Sequence, residues 1–376
     1  MKKIVFVTAT RADYGKIKSL IVEMQKNKKY QVLVFVTGMH NLKRFGSTYE
    51  EILKDKIKNV YRFKNQKLND NMDHILSKTI KGFSNFVKLK KLDLIIFHGD
   101  RIESLACAIV GCLNNIKTAH IEGGEVSGTV DEILRHSISK LSHAHFVTNN
   151  RAKKRLTQMG EKNNNIFVIG SPDVDIIKSK TLPEIDIVKK WYNIKFNDYA
   201  IGIFHPVTTD LKNLKMQCRI FIKSILDSKK NFVLIYPNND NGNEVILKEY
   251  IKLKKNPKIK LIPSMRFEYY LSLLKHSKFL IGNSSSGIME APYYGTSTIN
   301  IGSRQNKRAN LKSITNCEFS LSVIKKLINK LYNNNKYYKK TEYFGSGKSF
   351  KFFSKILKTN KVWKISNQKE FQEIKF

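Results

Sequence analysis

Short apolar runs rich in β-branched residues punctuate the first half of the chain, at Ile4–Val7, Val32–Val36, Leu94–Phe97, Thr118–Ile121, His145–Val147 and Ile166–Ile169. Between them lie segments with helical spacing of apolar positions, at Tyr14–Gln25, Asn71–Lys91, Ser104–Asn114 and Val130–Ser142. Strand and helix in strict alternation predict a parallel sheet with helices on both faces. The pattern pauses at Gly170-Ser171-Pro172-Asp173 and a polar stretch through Pro183. It restarts at Ala200–Phe204, Phe232–Tyr236, Ile259–Ile262, Phe279–Ile281 and Thr298–Ile301. The fold predicted is α/β, with two doubly wound Rossmann-like domains over residues 1–172 and 195–349. The cleft between them is the expected ligand site. After Gly345-Ser346-Gly347, helical residues in 350–376 are expected to return to the first domain. No repeat is visible, and the low-complexity content is limited to Asn333-Asn334-Asn335.

With 376 residues, of which 41% are hydrophobic, the chain has material for two cores, which excludes general disorder. The runs Leu92–Phe97 and Phe232–Tyr236 are far shorter than the roughly 20 residues of a membrane span. Met1–Ala9 lacks the organisation of a secretion signal, so a cytoplasmic location is expected. Cys107, Cys112, Cys218 and Cys317 have no metal-ligand spacing and read as free thiols. The net charge of +37 raises nucleic-acid binding as the non-enzyme alternative. Against it, lysine supplies 57 of the 68 basic residues and arginine only 11, and the lysines are dispersed. Compositional bias and a solvated surface account for that pattern, with attraction of an anionic substrate as a secondary role.

In a doubly wound sheet, chemistry sits just beyond the carboxyl ends of the strands. The first run leads into Thr10-Arg11-Ala12-Asp13-Tyr14-Gly15, which lacks the G-x-G-x-x-G of a dinucleotide site. Arg11 can still meet a phosphate there, while Asp13 also fits a helix cap. His98-Gly99-Asp100-Arg101 and Glu122-Gly123-Gly124-Glu125 follow two neighbouring strands, and Asp131 opens the next helix. Each carboxylate alone fits a cap or an ion pair, such as Asp100 with Arg101 or Asp131 with Arg135. Three at successive strand ends suit proton transfer.

In the second half, His205-Pro206-Val207-Thr208-Thr209 follows one strand, and Gly282-Asn283-Ser284-Ser285-Ser286-Gly287 follows another. Small hydroxyl residues and a glycine at a helix start suit a diphosphate. Glu290 lies one turn on, where its carboxylate can accept ribose hydroxyls. Met265–Tyr270 is placed to sandwich a base.

These motifs, with Val36-Thr37-Gly38-Met39-His40, Ser127-Gly128-Thr129, Arg135-His136 and Gly302-Ser303-Arg304-Gln305, resemble the bacterial UDP-N-acetylglucosamine 2-epimerase family over essentially the whole chain. They resemble most its hydrolysing, sialic-acid-pathway branch. The resemblance implies a glycosyltransferase-B-like fold and catalytic roles for Asp100, Glu122 and Asp131. It implies a UDP-sugar site on Arg11, His205, Tyr270, Ser284, Ser285, Ser286, Gly287 and Glu290. No metal or other cofactor is implied, nor a nucleic-acid or membrane partner; related enzymes imply a homodimer. Non-hydrolysing members typically begin Thr-Arg-Pro-Glu and have an arginine-rich stretch after the cleft histidine, unlike Thr10-Arg11-Ala12-Asp13 and His205-Pro206-Val207. A sibling branch acts on a diacetylbacillosamine nucleotide for legionaminic acid, and tends to lack an acid where Glu122 stands. A retaining glycosyltransferase on the same fold is the other enzymatic alternative; it would not need all three acids.

Overall fold

The computed structural model describes residues 1–42, 48–68, 70–305, 307–333 and 338–373. Asn334 and Asn335 of the asparagine tract and residues 374–376 of the expected C-terminal crossing lie outside the described residues. Two compact units are present. The first comprises 1–125, 131–179 and 343–376, and the second 126–130 and 180–342.

Among the described residues, the first unit contains β1 (Lys2–Thr8), β2 (Tyr30–Val36), β3 (Val60–Arg62), β4 (Leu94–His98), β5 (Lys117–Ile121), β6 (Ala144–Val147) and β7 (Ile166–Val168). They form one parallel sheet in the order β3-β2-β1-β4-β5-β6-β7. The order reverses next to β1, as in doubly wound folds. Successive side chains of β1 serve opposite cores. Ile4 and Phe6 pack with the helix Arg11–Gln25, while Val5 and Val7 pack with Phe83, Phe86 and Cys107. The edge strand β3 escapes the sequence reading because it is three residues long and half exposed.

The second unit contains β8 (Ala200–Ile203), β9 (Phe232–Ile235), β10 (Ile259–Ile262), β11 (Phe279–Gly282), β12 (Ser297–Ile301) and β13 (Ile314–Cys317) among the described residues. All are parallel, in the order β10-β9-β8-β11-β12-β13. With two such sheets, the α/β, glycosyltransferase-B-like architecture is the observed fold. No helix among the described residues is long and apolar enough to cross a membrane. All four cysteines are free thiols.

The chain enters the first unit again at Tyr343, ahead of residue 350, so 343–349 belong with that unit and not with the second. Ser171 donates its backbone N–H to Phe344 O at 2.6 Å. Asp175 accepts from the Ser349 amide (2.8 Å), the Ser349 hydroxyl (2.6 Å) and the Phe350 amide (3.0 Å), capping the helix Ser349–Lys358. That helix buries Phe353 against Phe6 and Phe146, worth about 2 kcal/mol.

Further along, Lys369 binds the buried Glu161 at 2.7 Å, beside His145 at 2.9 Å and Lys140 at 3.0 Å. Burial raises the Glu161 pKa, but the His145 hydrogen bond and charge, then Lys369, pull it down to about 2 from 4.5. A carboxylate held below its unfolded pKa stabilises the fold above that value and loses the contribution as pH falls. Stability is therefore expected to drop by on the order of 3 kcal/mol as pH falls through this window, from 4.5 towards about 2. Urea unfolding at a series of pH values checks this. Glu161→Gln, which cannot ionise, should flatten that limb; an unchanged acid limb would refute the assignment.

Candidate active site

In the first unit the sequence folds the ends of β4 and β5 and the helix Val130–Leu141 into one polar cluster. β4 ends at His98, and Gly99 turns the chain with φ +72° into Asp100. His120 on β5 pins this turn, donating from Nε2 to Gly99 O at 2.7 Å while Nδ1 faces the Ser139 hydroxyl at 3.0 Å. Burial pushes the His120 pKa down to about 3, so the ring is neutral and suited to that donor–acceptor pairing. β5 leads into Glu122, a buried non-glycine residue with φ +65°. Such backbone is costly for a side-chain-bearing residue and is concentrated at functional sites.

Arg135, 1% exposed on the helix Val130–Leu141, organises the acids. Its Nη2 donates to Asp100, and its Nη1 to the Glu125 carbonyl at 3.3 Å. Burial works against its charge. Asp100, followed by Glu125, Asp131 and Glu122, outweighs that cost and holds its pKa above the usual value. That guanidinium holds the Asp100 carboxylate, and Glu125, Asp131 and Glu122 lie near enough to act on its charge. Asp100 pairs with Arg135, and Arg101 approaches Glu103 at 3.6 Å. Around Glu122, Oε2 lies 3.2 Å from His98 Nε2, and Oε1 accepts from the Ser171 hydroxyl.

Arg11 begins the helix Arg11–Gln25. Its Nε and Nη2 make a bidentate pair with Glu51 at 3.1 and 2.8 Å. Holding a diphosphate would require it to exchange that partner. Asp13 caps the helix Arg11–Gln25 in a reciprocal box with Thr10 and accepts from the Ala9 amide at 2.9 Å. Burial raises its pKa despite these bonds. His40, 3.0 Å from Thr8 Oγ1, is held neutral with a pKa of about 3 by burial and by the charge of Arg11.

In the second unit, the ends of the neighbouring strands β8 and β11 are clamped by the buried Asn283. Its side chain accepts from the His205 amide at 2.7 Å and donates to the His205 carbonyl at 2.9 Å. His205 Nδ1 accepts from the Asn238 amide at 3.1 Å, so the neutral ring carries its proton on Nε2. Gly282 has φ +134°, and a Cβ there would sit 1.9 Å from Ile203 O, so only glycine fits between these strands.

The loop Ser284–Gly287 opens a helix of one turn, Ser286–Met289. Ser284 Oγ accepts from the Ser286 amide at 3.3 Å, and the Tyr270 hydroxyl bonds to Ser286 Oγ. Tyr270 is therefore a brace for the loop. Gly287 lies against Thr298, whose hydroxyl donates to the Gly287 carbonyl at 2.9 Å. Glu290 is buried at the joint with the helix Ala291–Tyr294, and burial with the Glu290 charge pushes the Tyr294 hydroxyl pKa up. Arg304 donates to the Asn283 carbonyl at 3.2 Å. No group of three or more His, Cys, Asp or Glu among the described residues is arranged to hold a metal ion.

Acids gathered round a buried cation, and a histidine beside a serine loop, match the motif assignments of one family. The sequence model of the UDP-N-acetylglucosamine 2-epimerase family matches residues 22–358. The chain belongs to that family. It is 41% identical to the UDP-N-acetylglucosamine 2-epimerase of Neisseria meningitidis serogroup B over the full length of both chains. It is 32% identical to the hydrolysing UDP-N,N'-diacetylbacillosamine 2-epimerase of Legionella pneumophila, covering 96% of each. It is 33% identical to the polysialic acid biosynthesis protein P7 of Escherichia coli, over 88% of this chain and 86% of that one. In fold it resembles the Methanocaldococcus jannaschii UDP-GlcNAc 2-epimerase in complex with UDP-GlcNAc and UDP. The TM-score is 0.80 at 20% identity, over 95% of this chain and 99% of that one.

The sequence offers Arg135 only as an ion-pair partner four residues from Asp131 on a helix; its hold on Asp100 comes from the fold. Ser171 and Asp173 show in the sequence only as a break in the strand–helix pattern, and Lys16 not at all; the tertiary fold brings Ser171 to Glu122 and links it through Asp173 to Lys16.

Proposed function

We propose that this epimerase-family protein hydrolyses UDP-N-acetylglucosamine with inversion at C2, giving N-acetylmannosamine and UDP, as the first step of sialic acid biosynthesis. The observation that carries the reading is the gathering of Asp100, Glu122 and Asp131 around Arg135. The 41% identity to the Neisseria enzyme over both full chains supports the substrate. The relatives named as hydrolysing support release of the free sugar. Those relatives act on a diacetylbacillosamine nucleotide, the second reading; the acid at Glu122 favours UDP-N-acetylglucosamine.

The C2 proton of the sugar has no adjacent carbonyl, so its removal needs UDP to leave in concert or beforehand. Charge then accumulates on the diphosphate, where His205 Nε2–H and the Ser284–Gly287 loop of the second unit are assigned to meet it. Glu290 is assigned to the ribose. Asp100 or Asp131 takes the C2 proton, leaving 2-acetamidoglucal. Hydration follows: an acid protonates C2 from the opposite face, and a carboxylate accepts the proton of the water that adds to C1.

Incubation with UDP-N-acetylglucosamine in D2O, followed by proton NMR, is expected to yield free N-acetylmannosamine deuterated at C2. Unlabelled sugar, or UDP-N-acetylmannosamine as the lasting product, would overturn the hydrolytic reading. The diacetylbacillosamine nucleotide, supplied in parallel, should be turned over far more slowly.

A further inference from the structure

Behind Glu122 lies a chain of buried groups that the scheme above does not use. The Ser171 hydroxyl is within hydrogen-bond reach of both Glu122 Oε1 and Asp173 Oδ1. Asp173 Oδ2 lies 3.2 Å from Lys16 Nζ on the helix Arg11–Gln25. Ser171, Asp173 and Glu122 are all nearly or completely buried. A hydroxyl has one proton to give, and ionised carboxylates only accept. Both contacts of Ser171 are therefore satisfied only when one carboxyl carries a proton and donates it to Oγ. The Lys16 ammonium lies against Asp173, so the donor chain runs from a protonated Glu122 through Ser171 to Asp173. Other groups that face Glu122 include His98, at 3.2 Å, and Arg135, on whose charge Asp100, Glu125, Asp131 and Glu122 all act. A simple Ser-Pro-Asp cap of the short helix Asp173–Ile177 needs neither full burial of its acid nor an ammonium from a different helix.

We propose that Ser171 and Asp173, backed by Lys16, are positioning residues that let Glu122 pass between its acid and carboxylate forms without losing a hydrogen bond. This rests on the reading above, in which Glu122 moves a proton. With Glu122 protonated, it donates to Ser171 and Ser171 donates to Asp173. When Glu122 protonates C2 of the glycal, the C1–C2 π electrons form the new C–H bond. The water oxygen bonds to C1, and the water proton passes to Asp100 or Asp131. The Ser171 O–H then turns from Asp173 to the new carboxylate. Acceptance of a proton by Glu122 reverses the turn.

The test is a carbon-13 titration of the glutamate carboxyls in the full-length protein without substrate, the Glu122 signal being assigned by its loss in Glu122→Gln. Asp173→Asn removes a neighbouring negative charge and should lower the Glu122 midpoint by about one unit. Lys16→Met leaves the Glu122–Asp173 pair without its neighbouring cation, which disfavours a second negative charge on the pair and should raise the midpoint. The limb of the pH–turnover profile that follows Glu122 should move in the same two directions. Turnover should fall about tenfold in Asp173→Asn with KM little changed. Ser171→Ala should lose turnover, and Ser171→Thr, which keeps the hydroxyl, should recover most of it. Midpoints that stay fixed, or move together in both variants, would overturn the proposal while UDP-N-acetylglucosamine is still consumed. Opposite midpoint shifts in a protein that leaves UDP-N-acetylglucosamine untouched would instead refute the functional reading and leave the coupling standing.

Discussion

Arg135→Met is expected to cost both stability and turnover, more than any other single change in the first unit. The side chain is 1% exposed, and Met fills a similar volume, so lost packing is a minor part of the effect. What disappears is the cation facing Asp100, Glu125, Asp131 and Glu122. Breaking a buried ion pair by removing one partner typically costs about 3–5 kcal/mol, because the remaining charge is uncompensated. Here four carboxylates remain. Their mutual repulsion grows as they ionise, so the stability deficit of the variant should widen as pH rises from about 4 to 7. Urea unfolding at both ends of that range checks the sign, and an equal deficit at both would mean that Arg135 acts through packing. Turnover should fall by on the order of 10²-fold or more, since Asp100 loses the partner that sets its position. UDP affinity, assigned to the second unit, should hardly change.

That prediction also marks where the sequence stops being informative. Buried parallel strands carry a strong local signal, a run of apolar β-branched residues, so β1, β2, β4 and β5 are legible within a residue or two. The edge strands β3 and β13 are not, since three or four half-exposed residues look like loop. The strand-end rule then leads directly to Asp100, Glu122 and His205. Partner choice is a different matter. Whether Asp100 meets Arg101 or Arg135 is decided by the neighbouring positions of β4 and β5 and the helix that follows, 35 residues away in the chain. The pairing of Arg11 with Glu51 and the meeting of Ser171 with Glu122 are likewise products of tertiary packing. Glu122 itself carries a backbone conformation, φ +65°, that no pattern of residue types announces.

The three acids themselves are tested by Asp100→Asn, Glu122→Gln and Asp131→Asn, which keep shape and remove the capacity to carry a proton. Each is expected to reduce turnover by on the order of 10²-fold or more. The loss should appear in kcat, with little change in UDP binding, because the diphosphate and ribose are assigned to His205, the Ser284–Gly287 loop and Glu290. Stability should change little in two of the three. Asn at position 100 can still accept from Arg135 through its amide oxygen, and Gln at position 122 can donate to Ser171 as the protonated acid does while accepting from His98. Supplying 2-acetamidoglucal with UDP then divides the reaction. A variant that hydrates the glycal but leaves UDP-N-acetylglucosamine intact has lost an elimination residue, and the reverse pattern marks a hydration residue. Asp100 and Asp131, the more exposed two, are the candidates for taking the C2 proton, so at least one of them should fall in the first class. If all three variants turn over the nucleotide sugar at near-normal rates, Arg135 gathers these carboxylates for stability alone, and the chemistry lies elsewhere.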